Sequence, residues 1–186
     1  IEEDLGSDIQ GDVIQVSFEG GVDGTELRKI VISGDQAQAG FGVGDVFFDT
    51  SALGLGADTP FPFSLLRHEG IDRITATVED GTSQLMLEFE GFHAGELLEF
   101  SIDVDEVEFI DPQETDLAIV NEGFDPITSG VEFHGSTLMA YLSASQFEDV
   151  DGSVIFKNRY DDQLDESSLD LPPDNYQGKR DRTAGA

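Results

Sequence analysis

A two-residue period governs this chain: short runs alternate apolar and polar side chains and are cut by Gly, Asp and Ser, as in strands with one buried face. From Asp12 to Glu19, Ile14, Val16 and Phe18 share one face, and Gly20-Gly21-Val22-Asp23-Gly24 turns the chain into a second run, Leu27 to Ser33. That pair predicts a hairpin or a sandwich corner. A Gly-rich stretch, Gly34 to Gly44, leads into Asp45-Val46-Phe47-Phe48-Asp49, and an irregular segment follows from Ser51 to Pro62. Ile71 to Glu79, Gln84 to Gly91 and Leu97 to Phe109 are strand patterns joined by Asp80-Gly81-Thr82 and Phe92-His93-Ala94-Gly95, which predicts a three-stranded meander. In the last run Leu98, Phe100, Ile102 and Val104 alternate with Glu99, Ser101, Asp103 and Asp105, so one apolar face and one solvent-facing carboxylate face are expected. A long connection from Asp111 to Gly130 contains Asp116 to Val120; further strands are expected at Val131 to His134, Ser136 to Ser143 and Ser153 to Tyr160. Helical period is nearly absent. About nine or ten strands of this length predict an all-β fold, an antiparallel β-sandwich of jelly-roll, immunoglobulin or cohesin-like type.

A chain of 186 residues supports one core. The pattern places an N-terminal extension at residues 1–11, the sandwich at 12–160 and an acidic, Pro-containing linker or tail at 161–186. The tail holds Pro172-Pro173, which enforces local extension, and Lys179-Arg180-Asp181-Arg182, with three of the nine basic residues. The start, IEEDLGSD, lacks Met and a signal peptide's apolar region, and reads as a processed chain or an excised piece. Forty Asp and Glu against nine Lys and Arg leave a net charge of −31, which repels nucleic-acid backbones and anionic lipid. With 38% hydrophobic residues and 14 Phe, the chain can still bury a core. Zero Cys excludes disulfides, thiolate catalysis and Cys-type metal sites. No apolar run approaches the roughly 18 residues of a membrane span.

Carboxylates gather where turns are expected: Asp4, Asp8 and Asp12; Asp103, Asp105, Glu106 and Glu108; Asp149 and Asp151; Asp161, Asp162, Asp165 and Glu166. Calcium takes six to eight oxygen ligands in irregular geometry, so Ca²⁺ is the cofactor these clusters suit. Asp149 and Asp151 with Asp161 and Asp162, and Asp103 with Asp105, are the candidate metal ligands. No complete D-x-[DN]-x-[DN]-G-x₅-E loop is present; Asp149-Val150-Asp151-Gly152 is a fragment, and Asp35 to Asp49 resembles a Ca²⁺ loop without its middle carboxylates. Salt adaptation explains the same acidity, because a carboxylate surface stays hydrated and is tolerated where ionic strength screens it.

Nothing in the chain names a reaction. His68, His93 and His134 are scattered, G-x-S-x-G is absent, and Gly40-Phe41-Gly42-Val43-Gly44 precedes no helix to cradle a phosphate. A glycosidase-type carboxylate pair stands as one alternative. Carbohydrate binding is the other, through Tyr141 and Tyr160, with Tyr176 as a further exposed ring and no Trp anywhere. Lys29 and Lys157 lie within strand patterns, and Asn121, Asn158 and Asn175 are the asparagines an isopeptide bond would need; solvent-facing lysines on edge strands are the simpler expectation.

Three stretches carry a resemblance: Gly34-Asp35-Gln36 with Val43 through Thr50, Gly70 through Val78, and Phe89 through Glu96 leading to Phe100-Ser101-Ile102-Asp103-Val104-Asp105. Over residues 12 to 160 the chain resembles a β-sandwich module of large secreted or surface-anchored bacterial proteins, notably of planctomycetes, that adjoins SdrD-type, Cna-B-like repeats. Ala94-Gly95-Glu96 before an alternating strand is also similar, more distantly, to cohesin-like sandwiches. The resemblance implies an extracellular or cell-surface location and a structural or adhesive role, with filament formation as one form of it. It carries no catalytic residue onto this chain. The expectation is therefore a non-enzymatic, Ca²⁺-stabilised surface module. Its partners would be other protein modules or copies of itself, and glycans, not nucleic acid or the membrane interior.

Overall fold

The apolar faces set by the alternation meet between two antiparallel sheets. A computed structural model describes residues 11–35, 45–52, 60–106, 109–110, 118–119, 135–145 and 147–156. The strands are β1 (Asp12–Phe18), β2 (Glu26–Ser33), β3 (Val46–Asp49), β4 (Ser64–Glu69), β5 (Arg73–Val78) and β6 (Gln84–Glu90). They continue as β7 (Glu96–Glu106), β8 (Phe109–Ile110), β9 (Ala118–Ile119), β10 (Thr137–Ala144) and β11 (Phe147–Ile155). One sheet has the order β1-β7-β3, with β4 also paired to β7; the other runs β11-β10-β2-β6-β5, and β8 pairs β9 separately. The fold is an all-β sandwich. Among the described residues no helix is long and apolar enough to cross a membrane.

Side chains of both inner faces fill the core. Ile14, Val46, Phe48, Leu98, Phe100, Ile102 and Val104 from the first sheet meet Leu27, Ile30, Ile32, Leu85, Leu87 and Phe89 from the second. Each such side chain contributes about 1.5–3 kcal/mol on burial. Phe92, on the connection between β6 and β7, closes one end: its ring meets Phe89 edge-on at 5.0 Å and Phe18 at 6.3 Å.

Backbone hydrogen bonds stitch the sheets together at both ends. At one, Leu27 N–H donates to the Phe92 carbonyl at 2.9 Å and Gly95 N–H to the Phe18 carbonyl at 2.7 Å. At the other, Val46 N–H donates to Gly34 at 3.0 Å, Phe48 N–H to Thr82 at 3.0 Å, and Gly81 N–H to Phe48 at 2.9 Å. Gly34 is required there: a Cβ would lie 2.4 Å from the Val46 carbonyl oxygen.

The structure corrects four expectations. Leu97 to Phe109 does not extend a meander, because the short connection after β6 carries the chain across to the other sheet, where β7 pairs β1, β3 and β4. The corner alternative holds for β1 and β2, which lie in different sheets. Ser64–Glu69 forms an unforeseen strand; exposed throughout, it has no buried face to impose alternation. The last described strand, Phe147–Ile155, starts six residues before the expected Ser153 to Tyr160 and places Gly152 opposite Ala140; residues 157–160 lie outside the described residues. An edge strand exposed at residues 149–155 tolerates Asp and Gly, which a buried strand would not. Lys29 sits on β2, an interior strand, instead of an edge. Val131 to His134, Lys157, the three asparagines, residues 1–10 and the segment 161–186 lie outside the described residues.

Candidate functional site

Alternation along β3 sends Val46 and Phe48 into the core and Phe47 and Asp49 to the opposite face. Register then fixes their neighbours on β7: Asp49 lies directly opposite Asp103, and Phe47 opposite Asp105. Directly opposed residues have Cβ atoms about 4.5–5.5 Å apart. This face is not turned to solvent as the sequence suggested: Phe47 and Asp49 are 0% exposed and Asp103 is 8% exposed. Asp45, just before β3, is also fully buried. Asp49 Oδ1 accepts the Ser51 N–H at 3.3 Å. Beside it, Asp80 Oδ1 accepts the Thr50 N–H at 2.8 Å and the Thr50 hydroxyl at 3.1 Å, tying the end of β3 to the turn between β5 and β6. Carboxylates therefore concentrate at the end of the sandwich that Phe48 and Thr82 stitch.

The other predicted ligands fall elsewhere. Asp149 and Asp151 stand two residues apart on β11, exposed, in the sheet that does not contain Asp103 and Asp105. Asp161 and Asp162 lie outside the described residues. Among the described residues, no group of three or more His, Asp or Glu side chains is arranged to hold a metal ion. The structure thus brings Asp103 and Asp105 together with Asp49, which sequence reading had not paired with them.

A second polar region lies on the outer face of the five-stranded sheet. The β2–β10 ladder shifts register between Tyr141 and Leu142, which face Lys29 and Leu27, so Arg28 is an extra residue in β2. Such a bulge re-aims side chains. Leu27 and Ile30 stay buried while Arg28 is exposed and Lys29 half-buried between them, so two consecutive basic residues serve one open groove. The groove, about 400 Å³, is lined by Arg28, Lys29, Arg73, Thr75, Glu88 and Tyr141, among others. Strict alternation hid this feature in the sequence. Tyr160, expected beside Tyr141, lies outside the described residues.

His68 is exposed on β4, and His93 sits on the connection before β7, its N–H donating to Glu96 Oε2 at 2.6 Å. His134 lies outside the described residues. Comparison of the chain with protein-family models, characterised proteins and solved structures finds no match.

Proposed function

We propose that the chain is a structural or adhesive module of a larger extracellular surface or matrix protein, stabilised by Ca²⁺ at its carboxylate-rich end. The observation that carries this reading is Asp49 opposite Asp103, both buried, where backbone hydrogen bonds join the two sheets. Like charges held together away from water repel, and a divalent cation relieves that repulsion. The donors are hard carboxylate oxygens, which suit Ca²⁺ rather than a softer metal. Asp49 and Asp103 would hold the ion, with Asp105 beside them on the same face. Asp149 and Asp151, on an exposed edge strand, are secondary positions.

The cation's role is mechanical. It would clamp the end already stitched by Phe48 and Thr82 and so stiffen the module against sliding of one sheet over the other. Sequence resemblance supplies the extracellular and surface part of the reading, and the charge of −31 suits a surface bathed in salt or calcium.

Calorimetric melting tests the reading in chelator, in millimolar Ca²⁺ and in high NaCl without Ca²⁺. A ligand at 100 times its dissociation constant adds about 2.7 kcal/mol, so Ca²⁺ is expected to raise Tm by several degrees beyond NaCl. An equal rise in NaCl, or none in Ca²⁺, rejects the cation site and leaves a salt-adapted surface.

A further inference from the structure

The groove on the five-stranded sheet lies in the sheet that does not contain Asp49 and Asp103. Four Lys and Arg residues fall among the described residues, Arg28, Lys29, Arg67 and Arg73, and three of them line this groove. In a chain of net charge −31, that concentration stands apart.

Cross-strand register builds the floor. Tyr141 on β10 faces Lys29 on β2, Lys29 faces Glu88 on β6, and Glu88 faces Thr75 on β5. One row across four strands thus presents an aromatic ring, an ammonium, a carboxylate and a hydroxyl. Lys29 Nζ lies 4.0 Å from the Tyr141 ring centroid. Arg73 pairs with Glu90 at 2.5 Å and Arg28 with Glu26 at 2.5 Å, both pairs lying at the solvent-exposed surface. Donors and acceptors therefore alternate over a nearly neutral patch: three cations line it, and Glu88, Glu90 and the Arg28 partner Glu26 offset them.

We propose that this groove binds a neutral polysaccharide. Sugar hydroxyls donate and accept at once, so they match a surface on which carboxylates sit beside guanidinium and ammonium groups. Tyr141, with Lys29 Nζ over one face of its ring, offers its hydroxyl as a further polar tip and its ring as apolar surface beside it. A polyanion is disfavoured because the lining is balanced while the whole chain repels negative charge. A peptide adding as a strand is disfavoured because β10, β2 and β6 are interior strands whose backbone groups are already committed to neighbours. The groove is open along the sheet surface, as a polymer chain requires.

Affinity electrophoresis of the whole chain through gels holding laminarin, xylan or galactomannan, with alginate as the acidic comparison, tests this. Retardation by at least one neutral polymer is expected, and Tyr141→Ala and Arg73→Gln should each weaken it about tenfold or more, equivalent to ~1.4 kcal/mol. Arg67→Gln, outside the groove, should bind as the parent chain does. Melting of each variant separates lost binding from lost folding; if Tyr141→Ala unfolds, Thr75→Arg, on an exposed position, blocks the groove instead. No retardation by any neutral polymer overturns the proposal. So does retardation by alginate alone, or retardation that folded groove variants leave unchanged.

Discussion

Asp49 and Asp103 occupy opposed positions of the β3–β7 ladder, so two buried carboxylates share one face of the sandwich. Their separation along the chain is long, and only the strand pairing brings them together. Replacing either by Asn removes one carboxylate charge from that face while keeping its shape, so Asp49→Asn and Asp103→Asn should each abolish the rise of several degrees in Tm that Ca²⁺ gives the parent chain. A calorimetric series with and without the ion reads the effect.

Gly34 touches β3 so closely that any side chain displaces it. Gly34→Ala should cost about 1–3 kcal/mol, because its Cβ meets the backbone of Val46, which cannot rotate away. Gly24→Ala makes the contrast: its φ is +81° but nothing lies within 4 Å, so only the left-handed backbone is penalised, at about 1–2 kcal/mol. Urea midpoints should therefore fall with Gly34→Ala at least as far as with Gly24→Ala, and the mid-infrared amide I band should report loosened β3 pairing only in the former.

Phe92 is fully buried between Phe18 and Phe89. Truncation to Ala should cost about 3–5 kcal/mol, a large share of the roughly 5–15 kcal/mol of a typical domain. Phe92→Leu keeps most of the volume and should cost less. Equilibrium urea unfolding measures both.

Ser136 is fully buried, and among the described residues its hydroxyl has no hydrogen-bond partner, while its carbonyl accepts the Phe156 N–H at 2.8 Å. Ser136→Ala removes the hydroxyl and keeps that backbone bond. The variant should gain about 1 kcal/mol, seen as a higher urea midpoint with unchanged slope.

The sequence made the alternating strands legible because burial of one face writes a period of two. Ile14, Val16 and Phe18 on β1 and Leu98, Phe100, Ile102 and Val104 on β7 all point where the pattern placed them. β4 left no such mark, since Ser-Leu-Leu-Arg-His-Glu lies exposed and no face had to be apolar. Nor does local pattern say which sheet a strand joins: the residues around Phe92 fit a hairpin as well as the crossing they make. For the carboxylate end, Asp103 and Asp105 were visible on one face of β7, but the burial of Asp103 and the approach of Asp49 depend on long-range register. The groove was hidden for a different reason. A bulge at Arg28 breaks the period, and a pattern read by alternation assigns Arg28 and Lys29 to opposite faces.

Among the described residues, β1 and β4 find their ladder partner only in β7, and β3 joins its sheet through the same strand. β7 is also the longest strand, with 11 residues, and it comes after all three in the chain. On a ribosome, which delivers about 5–20 residues each second, β2, β5 and β6 can pair as soon as they emerge. The other half of the sandwich must wait for Glu96 to Glu106. Until then three strands carry bare edges, and a nascent chain halted before β7 is the form of this protein most exposed to wrong pairing and to chaperones.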